Sequence, residues 1–283
     1  MILSLLRAKQ WYKNLVIFLP LIFVGLALNS ESILLTILGF FALCLMSSTN
    51  YIINDIIDIE KDKIHPEKKN RPIPSGLISI STATIIAMLL ATSSLVISFL
   101  LSTYFFYTVL TFFILTQLYS VFFKDEIFLD IILISINFVL RAISGAFILS
   151  VIISPWLILC TFFLALFLAS GKRKADLSLL KDEAINHKKV LGDYSSELTN
   201  TLILVSTILL IVSYSLYSFL SIYPQLIYTL PIAIYVIFRY FYLIQNDSII
   251  ARHPENFYKD SRLLLGIKVW VLVIILLIYF WMG

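Results

Sequence analysis

Apolar residues run along this chain in long blocks, each close to the ~20 residues that a helix needs to cross the hydrocarbon of a bilayer. Nine blocks stand out, at approximately Trp11–Leu28, Ser32–Ile53, Ser79–Leu101, Tyr104–Phe123, Ile127–Ile148, Ser154–Gly171, Leu198–Leu220, Gln225–Ile244 and Leu263–Met282. None alternates with the period of a strand, so the expected fold is all-α, a polytopic membrane protein. Arg7, Lys9 and Lys13 precede the first block much as basic residues precede a secretory signal. Pro20 interrupts that block and no small-x-small cleavage site follows Gly25, so it too reads as a membrane helix. The polar connections alternate. Lys and Arg gather at Arg7–Lys13, Lys61–Arg71, Lys124, Lys172–Lys189 and Arg252–Lys268, whereas Asn29–Glu31, Ser102–Thr103, Ser150–Ile153 and Ser221–Pro224 have none. By the positive-inside rule the N-terminus and the long loops face the cytoplasm of a plasma-membrane protein and the C-terminus lies outside.

Composition narrows the class. With 60% hydrophobic and 13% charged residues and a mean hydropathy of +0.97, the chain is no soluble domain, where about a quarter of residues are charged. The net charge of +4 follows from membrane topology and gives no reason to expect nucleic acid as a partner. Cys44 and Cys160 fall inside apolar blocks and read as small buried hydrophobes. No linker or soluble domain interrupts residues 1–283, which read as one transmembrane domain. A homo-oligomer is compatible with this composition.

The chemistry concentrates in the connection after the second block, NDIIDIEKDKIHPEKKNRPIPSG, from Asn54 to Gly76. On a helix Asp55, Asp58 and Asp62 fall at i, i+3 and i+7 and so share one face. Three like charges in register repel one another unless a cation lies between them. Mg2+, which binds a few carboxylates together with substrate phosphates, suits that arrangement. A solvated loop that only sets topology is the alternative, but topology calls for Lys and Arg, not for acids in register.

The other long connection, after the sixth block, runs from Gly171 to Glu197 and opens GKRKADL. Each long connection follows the second helix of a four-helix block, a hint of internal duplication. Arg141 lies near mid-membrane by position, where a charge costs at least ~2.5 kcal/mol, so it needs a cavity or a polar partner such as Gln117. Asn137 is one turn away on the same face. Tyr119 and Lys124 form a YSxxxK pattern with Asp130 following, and Lys9, Trp11, Lys13 and Asn14 cluster at the start of the first block; all of these suit interfacial anchors as well as a site. His65, His187 and His253 have no ligand spacing.

NDxxDxxxD at Asn54–Asp62, after the second membrane block, resembles the first aspartate-rich motif of the UbiA superfamily of intramembrane prenyltransferases. RAKQWYKN at Arg7–Asn14, HPEKKNRPIPSG at His65–Gly76, NFVLRAISG at Asn137–Gly145 and SGKRKADL at Ser170–Leu177 resemble the polyprenyl-phosphate phosphoribosyltransferase branch within it. The resemblance implies a UbiA-like bundle around a cytoplasm-facing cavity. The partners it implies are 5-phosphoribosyl 1-diphosphate and a polyprenyl phosphate lipid, joined with release of diphosphate on the way to cell-envelope polysaccharide. Asn54, Asp55, Asp58 and Asp62 would serve as the catalytic Mg2+ site, and Asn137 and Arg141 would line the cavity. Lys13, Lys61, Lys69, Arg71, Tyr119, Lys124, Lys172, Arg173 and Asp176 would meet substrate.

One departure is informative. Most of the superfamily has a second aspartate-rich motif after the sixth helix, where this chain has Lys172, Arg173 and Lys174 and, nearby, only Asp176 before Asp182 and Glu183. Bases cannot ligate a cation but hold phosphate oxygens well. Two alternatives remain: a prenyltransferase acting on an aromatic or glycerol-phosphate acceptor, and a transporter of anionic metabolites.

Overall fold

The computed structural model describes residues 2–64, 68–180 and 189–280. His65, His187, Asp182 and Glu183 lie outside them. The described residues are helical and contain no strand. Among the described residues eight helices are long and apolar enough to cross a membrane. We number them α1 (Ser30–Ile57), α2 (Ile80–Leu101), α3 (Thr103–Leu118), α4 (Leu129–Leu149), α5 (Pro155–Leu180), α6 (Ser196–Leu220), α7 (Leu230–Gln245) and α8 (Ser261–Tyr279).

The first of the nine predicted blocks takes another form. It is a 3-10 helix over Ala8–Phe18 followed by a short α-helix over Leu19–Phe23. Pro20 accounts for its closing turn. In an α-helix the Val16 carbonyl would accept from residue 20, but proline has no N–H; the Leu19 N–H donates to Val16 instead, which closes a 3-10 turn.

Side chains define several helix starts. Asn29, Ser79, Ser195 and Asp260 accept from the backbone N–H three residues on, at 2.8, 3.2, 3.0 and 2.7 Å. Within the helices, hydroxyls such as Thr36, Ser135, Ser144 and Thr161 bond the carbonyl four residues back. Each polar atom is thereby satisfied inside its own helix, as hydrocarbon surroundings require. Large apolar side chains stay exposed along these helices, among them Ile85, Leu89, Leu204 and Leu272. On a water-soluble surface such stripes would promote association, whereas against lipid they are the favourable outer face. The chain is a multi-pass membrane protein.

Packing divides the chain into two compact units, Met1–Phe123 with Leu140–Val151, and Lys124–Val139 with Ile152–Gly283. In the first unit, α1 and α2 pack closely enough for Ser94 to donate to the Ala42 carbonyl at 2.7 Å. Ile17, Leu43, Met46, Phe105 and Phe112 fill its core. Gly145 on α4 lets the 3-10 segment lie against it: a Cβ there would collide with the Ile17 carbonyl oxygen. In the second unit α5 and α6 pack along each other. Trp270 donates to the Tyr214 hydroxyl at 3.1 Å, and Tyr214 in turn pairs with Thr229 at 2.5 Å. Both cysteines are buried and free.

Candidate active site

Two of the long helices continue past their apolar blocks and carry charge at the cytoplasmic end expected from the Lys and Arg pattern. In the first unit α1 runs on to Ile57, bringing Asn54 and Asp55 onto its last turns. Asp58 is its C-cap, and a short helix over Ile59–Ile64 follows. The amide hydrogen bonds Asp58 to Asn54 and Asp62 to Asp58 keep the helical spacing through the junction, at 2.9 and 2.8 Å. Asp55 and Asp62 are therefore brought together and buried, at 3% and 2% exposure.

Their partners are arginines. One guanidinium nitrogen of Arg71, Nη1, donates to Asp55 at 3.0 Å and to Asp62 at 2.6 Å. Arg7 also pairs with Asp55, and Lys68 lies 3.5 Å from Asp62. Burial pulls the Arg7 guanidinium below its ordinary value, and the Asp55 charge pulls the other way. Arg7 sits at positive φ ahead of the 3-10 segment and lies 4.8 Å from the Tyr51 ring centroid. It was not among the expected site residues; its signal was the basic start Arg7–Lys13.

Two buried carboxylates thus already share one positive centre. Among the described residues no three Asp, Glu, His or Cys side chains gather at one point. That donor set fits Mg2+, which is commonly held by one or two carboxylates and completed by waters and substrate phosphate. Lys61 and Lys69 are exposed beside the cluster.

Arg141 is buried at 8% exposure, and its partner differs from the expected Gln117. Its Nε donates to Asn14 Oδ1 at 2.8 Å, and its guanidinium stacks over Phe112 at 4.6 Å. The Asn14 amide nitrogen reaches Cys44 and Ser47 at 3.3 Å each. Gln117 instead donates to Asn50 on α1 at 2.6 Å. Lys13 lies over the Tyr12 ring, 6.0 Å from its centroid. Tyr119 opens a π-helical turn over Tyr119–Phe123 at the end of α3.

In the second unit the expected loop opening GKRKADL is helix. Helix α5 continues to Leu180, because its charges find partners from distant segments. Arg173 Nε donates to Asp130 at 2.7 Å, and Asp130 is fully buried. The Tyr194 hydroxyl donates to the other Asp130 oxygen at 2.7 Å and accepts from the Phe128 N–H at 3.2 Å. Phe128 sits at φ 65°, a strained backbone for a bulky residue, and Tyr194 holds it there. Burial and the hydrogen bond to Asp130 raise Tyr194 above the ordinary tyrosine range. Asp176 takes Arg252 at 3.1 Å, and Lys174 pairs with Gln245. Arg173 and Asp176, expected to meet substrate, therefore have internal partners, while Lys172 is exposed. Lys124 lies beyond the π-helical turn and Asn137 is buried on α4.

The sequence profile of the UbiA prenyltransferase family matches residues 18–259. The decaprenyl-phosphate phosphoribosyltransferase of Mycolicibacterium smegmatis is 30% identical over 99% of this chain and 92% of its own length. That of Corynebacterium glutamicum is 31% identical over 76% of this chain and 66% of its own. Among solved structures, a UbiA homolog from Archaeoglobus fulgidus bound to GPP and Mg2+ superposes with a TM-score of 0.75. It covers 96% of this chain and 98% of its own at 18% identity, a likeness of fold alone. Fold and relatives together define a membrane-embedded transferase. The chain belongs to the UbiA prenyltransferase family.

Proposed function

We propose that this protein transfers the phosphoribosyl group of 5-phosphoribosyl 1-diphosphate to the phosphate of a polyprenyl phosphate, releasing diphosphate, on the cytoplasmic side of the plasma membrane. The observation that carries this reading is the nearly full-length similarity to the Mycolicibacterium smegmatis phosphoribosyltransferase. The arginine-bridged acids support it.

In this reading Asp55 and Asp62, with Asp58 and Asn54 on the adjoining turn, hold Mg2+. Bound there, the ion neutralises charge on the departing diphosphate. Arg71 and Arg7 are the side chains that trade partners: with the carboxylates otherwise engaged, their guanidinium groups turn to phosphate oxygens, which they bind in bidentate fashion. Lys61, Lys68 and Lys69 add positive charge at the same end. Lys13 and Arg141 extend it along α1 and α4. Of the second unit we propose separately that Lys124, Asn137 and Lys172 contact substrate and that Arg173 and Asp176 act through the partners they hold. The acceptor phosphate is anionic at neutral pH, so attack of its oxygen on ribose C1 needs no general base. Catalysis then rests on positioning and on charge placed ahead of the reaction.

A donor swap tests the proposal. Purified protein with Mg2+ receives labelled 5-phosphoribosyl 1-diphosphate and polyprenyl phosphate in one tube, and labelled prenyl diphosphate with aromatic acceptors in another. Label entering an organic-extractable phosphoribosyl lipid is the expected result. Transfer from the prenyl donor alone would overturn the proposal and leave an ordinary prenyltransferase.

A further inference from the structure

Asn50 is 4% exposed, on α1 one turn before Asn54. Its Oδ1 accepts from Gln117 at 2.6 Å, yet its Nδ2 is buried with no hydrogen-bond partner. Reversing both carboxamides does not remove the problem: Asn50 would then donate to Gln117 and leave its oxygen unpaired. Either way one atom of the Asn50 amide is left over, in surroundings where an unmet polar group is costly. Gln117 is only half-buried, so rotation of that one side chain makes the amide reachable.

We propose that the Asn50 carboxamide reads a ribose hydroxyl of the donor, and so distinguishes a phosphoribosyl from a prenyl diphosphate. This rests on the donor reading given above. Position supplies the first argument. Asn50 and Asn54 share a face of α1, about 6 Å apart along its axis. With the diphosphate at the Asn54–Asp62 end, the next group of the donor along the helix is the one attached to it: a ribose here, an apolar chain in a prenyl donor. Chemistry supplies the second. A hydroxyl both donates and accepts, so it satisfies Asn50 in either amide orientation, whereas a hydrocarbon satisfies it in neither. A site with a buried polar group of this kind penalises the ligand that cannot pair with it.

The test uses the full chain in detergent with Mg2+, and three probes: 5-phosphoribosyl 1-diphosphate, inorganic diphosphate and geranyl diphosphate, each titrated by calorimetry. Asn50→Leu removes the amide, and Asn50→Leu with Gln117→Leu removes both members of the pair, in case the single variant strands Gln117 and misfolds. Phosphoribosyl diphosphate should bind both variants about tenfold more weakly than wild type, while inorganic diphosphate binds all three proteins alike. Equal weakening of both ligands, or of neither, overturns the assignment; the second result would make Asn50 a site for a buried water. Wild-type protein that binds geranyl diphosphate and not phosphoribosyl diphosphate refutes the donor reading itself, and is recognised before any variant is made.

Discussion

The two units solve one problem with opposite signs. Helix α1 ends in buried acids capped by arginines, whereas α5 ends in a buried arginine held by an acid. The difference lies in how far the cation is buried. In the first unit Asp55 and Asp62 are enclosed, but the Arg7 and Arg71 side chains keep 20% and 28% of their surface. Those cations can exchange for another at modest cost. In the second unit Arg173 and Asp130 are 6% and 0% exposed, and Tyr194 takes the other carboxylate oxygen. Nothing there is available for exchange. An ion pair stays open to a new partner when one member can return to water, and acts as a rivet when neither can.

The sharpest break in that contrast is at Asp55. Asp55→Asn should lower Mg2+-dependent turnover by about a thousandfold, since the ion contributes several kcal/mol of charge stabilisation, while the thermal midpoint moves little. A variant that retains turnover would remove Asp55 from the metal site. Asp130→Ala should do the reverse and destabilise the fold by about 3–5 kcal/mol, because it leaves Arg173 buried and unpaired. Thermal unfolding in detergent measures this, and an unchanged midpoint would show that the second cluster is not a rivet. Gly145→Ala forces the 3-10 segment away from α4 and should cost about 1–3 kcal/mol in the same assay. Smallest is Tyr194→Phe, at about 1 kcal/mol for a lost hydrogen bond. Tyr194 also has a pH signature. Its folded value lies above the unfolded one, so its contribution is complete below about pH 10 and declines as pH rises through the folded value. Wild type should lose stability above about pH 10 more steeply than Tyr194→Phe.

Much of this was legible in the chain because lipid imposes a simple grammar. Block length follows from burying backbone polar groups in hydrocarbon, so among the described residues eight of the nine blocks appear as long helices. The ends of α1 and α5 were less legible. An apolar block stops at the first charge, but a helix continues wherever that charge finds a partner, and the partner of Arg173 is 43 residues away. Arg141 shows the same limit: the need for a cavity or a polar partner followed from its depth, with Gln117 as one example, yet the partner is Asn14, 127 residues away. The closing 3-10 turn of the first block was within reach, since Pro20 removes the N–H that Val16 requires in an α-helix.

The seat of that first segment has a consequence for biosynthesis. Residues Ala8–Phe18 pack on α1, where Trp11 bonds Ser48 and Asn14 bonds Ser47, and also meet Gly145 and Arg141 on α4, so one wall of their seat emerges long after the segment does. With Asn14 and Arg141 127 residues apart, a ribosome adding about 5–20 residues per second leaves an interval of roughly 6–25 s. During that interval the segment has only α1 to pack against. The first unit therefore closes only when α4 arrives.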